Sequence, residues 1–101
     1  MKVGIHDLAA KELFDAVNWY NQLQNGLGKR FQEKVVLQVG KIRKNPEWFP
    51  RESKEIFKVY IPKLPYKIFY SVEDNSIIIW AIAHLHRKPW YWQLRISKLN
   101  E

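Results

Sequence analysis

Apolar and polar positions along this chain change period about halfway, dividing it into a helical part and a sheet part. Residues Lys2–His6 read as a short strand. Asp7 can cap the helix that follows, because its carboxylate accepts bonds from the first free N–H groups of a helix. Leu13, Ala16, Val17 and Tyr20 then recur at i, i+3, i+4 and i+7, which places them on one apolar face. Asn25-Gly26-Leu27-Gly28 breaks this helix with residues that tolerate positive φ. A second helix is predicted from about Gly28 to Lys44, with Phe31, Val35, Val39 and Ile42 on its buried side and Asn45-Pro46 as its end. So short a connection predicts an antiparallel helical hairpin.

Beyond it the period shortens to two. Phe57, Val59 and Ile61 alternate with Lys58 and Tyr60, as in a half-buried strand, and Pro62 to Pro65 form a turn. Tyr66 to Val72 is a second alternating strand, and Glu73-Asp74-Asn75-Ser76 a polar turn. Ile77 to Ala83 is apolar at every position, which predicts a central strand covered on both faces. Pro89 is placed to open a short last helix, where its missing N–H costs nothing. The order β-α-α-β-β-β with a helical tail predicts an α+β fold: an N-terminal strand and a helical hairpin packed on an antiparallel β-sheet. Residues 1–101 read as a single domain.

Composition narrows the classes. Hydrophobic residues make up 47% of the chain and aromatics 15%, too apolar for a disordered polymer. The chain has no cysteine, which excludes a disulfide framework, a thiol nucleophile and a thiolate metal site and fits a reducing compartment. Its longest apolar run, Ile77 to Ala83, is too short to span a membrane, and the N-terminus lacks the pattern of a signal peptide. A soluble, cytoplasmic protein without a membrane partner is expected. Residues 1–40 carry five Lys/Arg against four Asp/Glu, and residues 41–101 carry twelve against six. Six of the seven excess positive charges therefore lie in the second part, among aromatic residues. This favours a polyanionic partner (nucleic acid, a ribosome or an acidic protein segment), although a basic surface that only solubilises the protein has the same composition.

Five blocks, in order, resemble the RelE/ParE superfamily of toxins. They are Ala16-Val17-Asn18-Trp19-Tyr20, Gly26-Leu27-Gly28-Lys29-Arg30-Phe31, Asn45-Pro46-Glu47-Trp48-Phe49-Pro50, Leu64-Pro65-Tyr66-Lys67-Ile68-Phe69-Tyr70, and His84-Leu85-His86-Arg87-Lys88-Pro89-Trp90-Tyr91-Trp92. Each block is short and partly core packing; their order and spacing carry the likeness. The resemblance implies the toxin of a type II toxin–antitoxin module, neutralised by a cognate antitoxin and associated with plasmid stabilisation and growth inhibition. RelE-type members cut messenger RNA on the ribosome without a metal, whereas ParE-type members poison DNA gyrase. No cofactor or metal is implied.

Metal-free RNA cleavage needs a group that takes the 2′ proton, one that protonates the leaving oxygen, and cations that balance charge on phosphorus. If the chain is a nuclease, His84, Arg87 and Tyr91 are the catalytic candidates: a side chain titrating near neutrality, a planar fork for phosphate, and a phenol. Lys54, Lys58, Lys67, His86, Trp92 and Arg95 are candidates for binding nucleic acid or another target. Each has a plainer reading. Lys58 and Lys67 suit the solvated side of alternating strands, His84 suits a strand end, and Trp90, Tyr91 and Trp92 suit a packing lid. His84-x-His86 has metal-ligand spacing, but no third ligand is evident nearby in sequence. Two departures weigh against the nuclease. The resemblance implies that RelE-like enzymes usually carry a catalytic arginine just after the last strand, where Leu85 stands here and Arg87, two residues on, is the available substitute; related sequences often carry another arginine where Phe57 stands. The likeness is therefore closer to ParE-like members. A ribosome-dependent endonuclease remains the alternative, and a degenerate member that only binds antitoxin or operator DNA is a third reading.

Overall fold

The computed structural model describes residues 1–99, with elements in the order β1 (Lys2–Ile5), α1 (Asp7–Leu23), α2 (Leu27–Lys44), β2 (Phe57–Tyr60), β3 (Tyr66–Glu73), β4 (Ser76–His84) and α3 (Gln93–Leu99). The strands form one sheet in the order β1-β4-β3-β2. This is the α+β arrangement expected from the sequence, with the hairpin of α1 and α2 on one face.

Local chemistry explains most boundaries, and in three places it differs from the expectation. The cap of α1 is His6 rather than Asp7: the His6 Nδ1 accepts the Leu8 N–H at 3.1 Å. Asp7 instead lies in the first turn, where its charge faces the positive end of the helix dipole. Between the helices Gly26 takes φ +93°, a left-handed conformation that a side chain would strain. The second difference is the direction of β1. It pairs in parallel with β4, with Val3 opposite Ile77 and Ile5 opposite Ile79, whereas β2–β3 and β3–β4 are antiparallel. Two short strands far apart in sequence carry no direction in their composition; the crossover through the hairpin and β2–β3 sets it. Third, the last helix begins at Gln93, not at Pro89, because the chain turns first at Trp90 (φ +65°). The β3–β4 hairpin closes through Asp74 and Asn75, both at positive φ, as tight hairpin turns require.

The sheet is buried on both sides. Towards the helices, Ala9, Ala16, Phe31, Val35 and Ile42 pack against Val59, Ile68, Tyr70, Ile77, Ile79 and Ile82. On the outer face, Ile56, Phe69, Trp80, Ala81, Ala83 and Trp92 form a second cluster, joined by Tyr91 and Ile96. Alternation breaks once, between Phe69 and Tyr70, where the register skips Trp80. This bulge places both Trp80 and Ala81 on the outer side and directs the Trp80 indole N–H to the Ser71 hydroxyl at 2.8 Å. Among the described residues no helix is long and apolar enough to cross a membrane.

Candidate functional site

Strand β4 is nine residues long and β1 only four, so β1 leaves the last residues of β4 without a neighbouring strand. Glu12, on the flank of α1, fills that position. Its carboxylate accepts the Ile82 backbone N–H at 3.0 Å, the Tyr91 hydroxyl at 2.5 Å and two N–H groups of Arg95 at 2.9 Å each. Arg95 also donates to the Trp80 carbonyl at 2.8 Å. Arg87 approaches the same carboxylate at 3.9 Å and lays its guanidinium over the Tyr91 ring, 3.9 Å from the centroid. One carboxylate thus joins the first helix, the edge of β4 and the C-terminal segment. Burial, then the hydrogen bond and charge of Glu12, push the Tyr91 phenol well above its ordinary range, so it remains a protonated donor. Burial alone would depress Arg95, but its bond to Glu12 and that charge outweigh it, and the guanidinium is held still more firmly charged.

The outer face brings several of the sequence candidates together. A cleft of about 80 Å³ is lined by Lys67, His84, Leu85, Arg87, Tyr91 and Trp92, among others. The Lys67 ammonium lies 5.1 Å from the Phe69 ring centroid. His84 packs between Tyr66 and His86, at 5.1 and 5.0 Å between ring centroids, and its Nδ1 accepts the His86 N–H at 3.1 Å. Trp92 is buried, 4.7 Å from Phe69 and 5.4 Å from Trp90. The remaining candidates stand apart. Lys58, opposite Phe69 in register, is paired with Glu52 at 3.2 Å. Lys54 lies in the loop before β2, where its carbonyl accepts from Arg51. Arg95 is only 9% exposed and turned inward. Phe57, at the second position noted for its missing arginine, is a core residue stacked on Tyr70.

Sequence reading did not single out Glu12, although it holds three of the residues that were named. The available signal was its place beside Leu13, at the margin of an apolar helical face where a carboxylate is half-buried and needs donors. Which donors reach it depends on the C-terminal segment returning across the sheet.

No curated protein sequence matches the chain. The family described as "ParE toxin of type II toxin-antitoxin system, parDE" matches over residues 3–89. The fold is similar to that in a structure of a chromosomal ParDE toxin–antitoxin system from P. aeruginosa, with a TM-score of 0.69, 18% identity, and coverage of 83% of this chain and 95% of that one. It is also similar to the isolated E. coli RelE toxin, at a TM-score of 0.63 and 14% identity, over 97% of both chains. A mutant E. coli RelE in complex with a peptide of the antitoxin RelBc gives a TM-score of 0.61 and 15% identity, over 92% of both chains.

Proposed function

Since the chain belongs to the ParE toxin family of type II toxin–antitoxin systems, we propose that this toxin acts by binding a macromolecular target, DNA gyrase, rather than by cutting RNA. The observation that carries this reading is the state of the outer face. His84, Arg87 and Tyr91 line a cleft of about 80 Å³, and His84 and Arg87 also border a second, of about 290 Å³, with Glu12, Asp15, Trp19 and Tyr66 on the helix side. Part of each group is engaged: the His84 Nδ1 by the His86 N–H, the Tyr91 hydroxyl by Glu12, and the Arg87 guanidinium by the Glu12 charge and the Tyr91 ring. Leu85 stands on the rim of the smaller cleft, where RelE-like enzymes are expected to carry an arginine. Loss of one such charge-stabilising donor lowers a rate by about a hundredfold or more.

On this reading His84, Arg87 and Tyr91 shape the surface around the β4 edge with Lys67 and His86 beside them, whereas Lys54 and Lys58 lie apart from it, towards β2. The toxin would arrest growth in the cytoplasm until a cognate antitoxin covers it. The complex of RelE with an antitoxin peptide supports a partner segment of that kind.

The test is inducible expression with plasmid supercoiling and transcript integrity followed in the same culture. Loss of supercoiling with DNA breaks, while ribosome-bound transcripts remain intact as growth stops, is the expected result. Cleaved transcripts with unchanged plasmid topology would overturn it in favour of the endonuclease.

A further inference from the structure

Charge is divided unequally between the two helices of the hairpin. Helix α1 carries Asp7, Glu12 and Asp15 against Lys11, whereas α2 carries Lys29, Arg30, Lys34, Lys41, Arg43 and Lys44 against Glu33. Four of these cations, Arg30, Lys34, Lys41 and Lys44, recur at steps of four, seven and three residues, so they share one side of the helix. At the rise of an α-helix the row is about 21 Å long. It runs beside β2, where the Gln38 side chain, placed between Lys34 and Lys41, donates to the Tyr60 carbonyl at 2.8 Å. This is the side of the sheet opposite the edge that Glu12 completes.

At the end of the row lies a groove of about 380 Å³, lined by Gln38, Lys41, Lys44, Asn45, Trp48 and Phe49. Trp48 is 80% exposed, yet it is held in place. Its N–H donates to the Asn45 carbonyl at 3.1 Å, its ring stands against Phe49 at 5.5 Å between centroids, and Phe49 packs on the helix-side core. The Tyr70 hydroxyl, reaching out of that core, fixes the same loop by donating to the Pro46 carbonyl at 2.6 Å. The helix dipole accounts for Lys41 and Lys44 in the last turn of α2, but it disfavours Arg30 near the start. Among the described residues the ion pairs are Lys11–Asp15, Lys58–Glu52, Arg87–Glu12 and Arg95–Glu12, so no cation of the row has an acidic partner in that set. Glu33 lies at the margin of the row, and Leu37 is exposed within it, where a sugar or base can rest. Four unpaired cations in line suit a polyanion whose charges repeat along its length, and a fixed, exposed indole suits the flat face of an unpaired base. A duplex hides those faces. The backbone of α2 is engaged in its own hydrogen bonds and gives an extended peptide no edge to pair with.

We propose that this side of α2, with Trp48 at its end, is a binding site for single-stranded nucleic acid. Phosphates lie on Arg30, Lys34, Lys41 and Lys44, and one base stacks on Trp48 in the groove. The inference concerns binding alone, on a surface apart from His84, Arg87 and Tyr91, so its failure would leave the gyrase reading untouched.

The probe is fluorescein-labelled oligothymidylate. It is titrated into the full-length protein by anisotropy over a series of salt concentrations, and by NMR of backbone amides and tryptophan indoles at low salt. Saturable binding is expected, with shifts centred on the Trp48 indole and the amides of α2. Four phosphate contacts should make the logarithm of the binding constant fall with that of salt at a slope of about −2.8, and the double variant Lys41→Gln with Lys44→Gln should reduce it to about −1.4. Trp48→Ala should weaken binding about tenfold with the slope kept, the scale of one lost base stack. Lys11→Gln, on α1, should change neither quantity. The same spectra report whether each variant is folded. Absence of saturation, shifts centred elsewhere, a slope unmoved by the double variant, or full affinity in folded Trp48→Ala would overturn the proposal. So would a Glu-rich peptide, a duplex of the same length or phosphatidylserine vesicles binding as tightly as the single strand.

Discussion

Glu12 is the residue on which three parts of the chain converge, and its loss has a calculable direction. Glu12→Gln keeps the shape but removes the charge opposite Arg95, which is only 9% exposed. Stranding a buried guanidinium costs more than the original pair contributed, because its desolvation is no longer offset. We expect a loss of about 2–4 kcal/mol in urea denaturation, with the slope unchanged. Lys11→Ala, which breaks the exposed pair with Asp15, should cost no more than about 0.5 kcal/mol. Equal losses for the two variants would remove Glu12 from its central role. At this scale the sequence was informative about which residue types can carry charge or chemistry: Arg87, Tyr91 and Arg95 were all named from it. It was silent on their shared partner, which lies about eighty positions away along the chain.

At the scale of elements, two glycines of α2 make opposite predictions. A Cβ on Gly28 would come within 3.0 Å of the Val17 carbonyl and the Asn21 side chain, and Asn21 already accepts the Gly28 N–H at 2.8 Å. Gly28→Ala must therefore push the helices apart, at a cost of about 1–3 kcal/mol. Gly40 lies in the same helix with nothing within 4 Å of its would-be Cβ. Gly40→Ala should stabilise by about 0.5–1 kcal/mol, since alanine loses less backbone entropy in a helix. Thermal melts of the two variants should shift in opposite directions; a shared direction would contradict the packing described. Helix and strand positions were legible because period 3.6 and period 2 are local properties. The misplaced features were those set by contacts beyond the element. His6, whose N–H donates to the Ile79 carbonyl at 2.9 Å and whose ring lies 5.7 Å from that of Trp80, took the cap from Asp7, and Trp90 turned the chain before α3 could start.

For the whole molecule, the packing of tyrosines sets an alkaline limit. Burial raises Tyr20, Tyr66, Tyr70 and Tyr91 above the ordinary value of 10.0, aided by Glu12 at Tyr91 and opposed by Arg51 at Tyr70. The folded state holds these protons more tightly than the unfolded chain does. Their stabilisation is therefore complete below pH 10 and declines as pH rises above it. Denaturation at a series of pH values should show this loss, and Tyr70→Phe and Tyr91→Phe should each flatten it. A variant with the same alkaline slope as the parent would exclude that tyrosine as a contributor.

The sequence alone determined the element order, the helical hairpin, the strand buried on both faces, the concentration of positive charge after residue 41 and the likeness to RelE/ParE toxins. These follow from short-range period, composition and ordered blocks, all of which are properties of neighbouring residues. Tertiary structure alone decided that β1 runs parallel to β4, that Glu12 completes the β4 edge, and that Trp92 and Arg95 turn inward. Each of these depends on segments far apart in sequence meeting in space. Their complementarity is written in geometry and burial, and residue type by itself does not specify either.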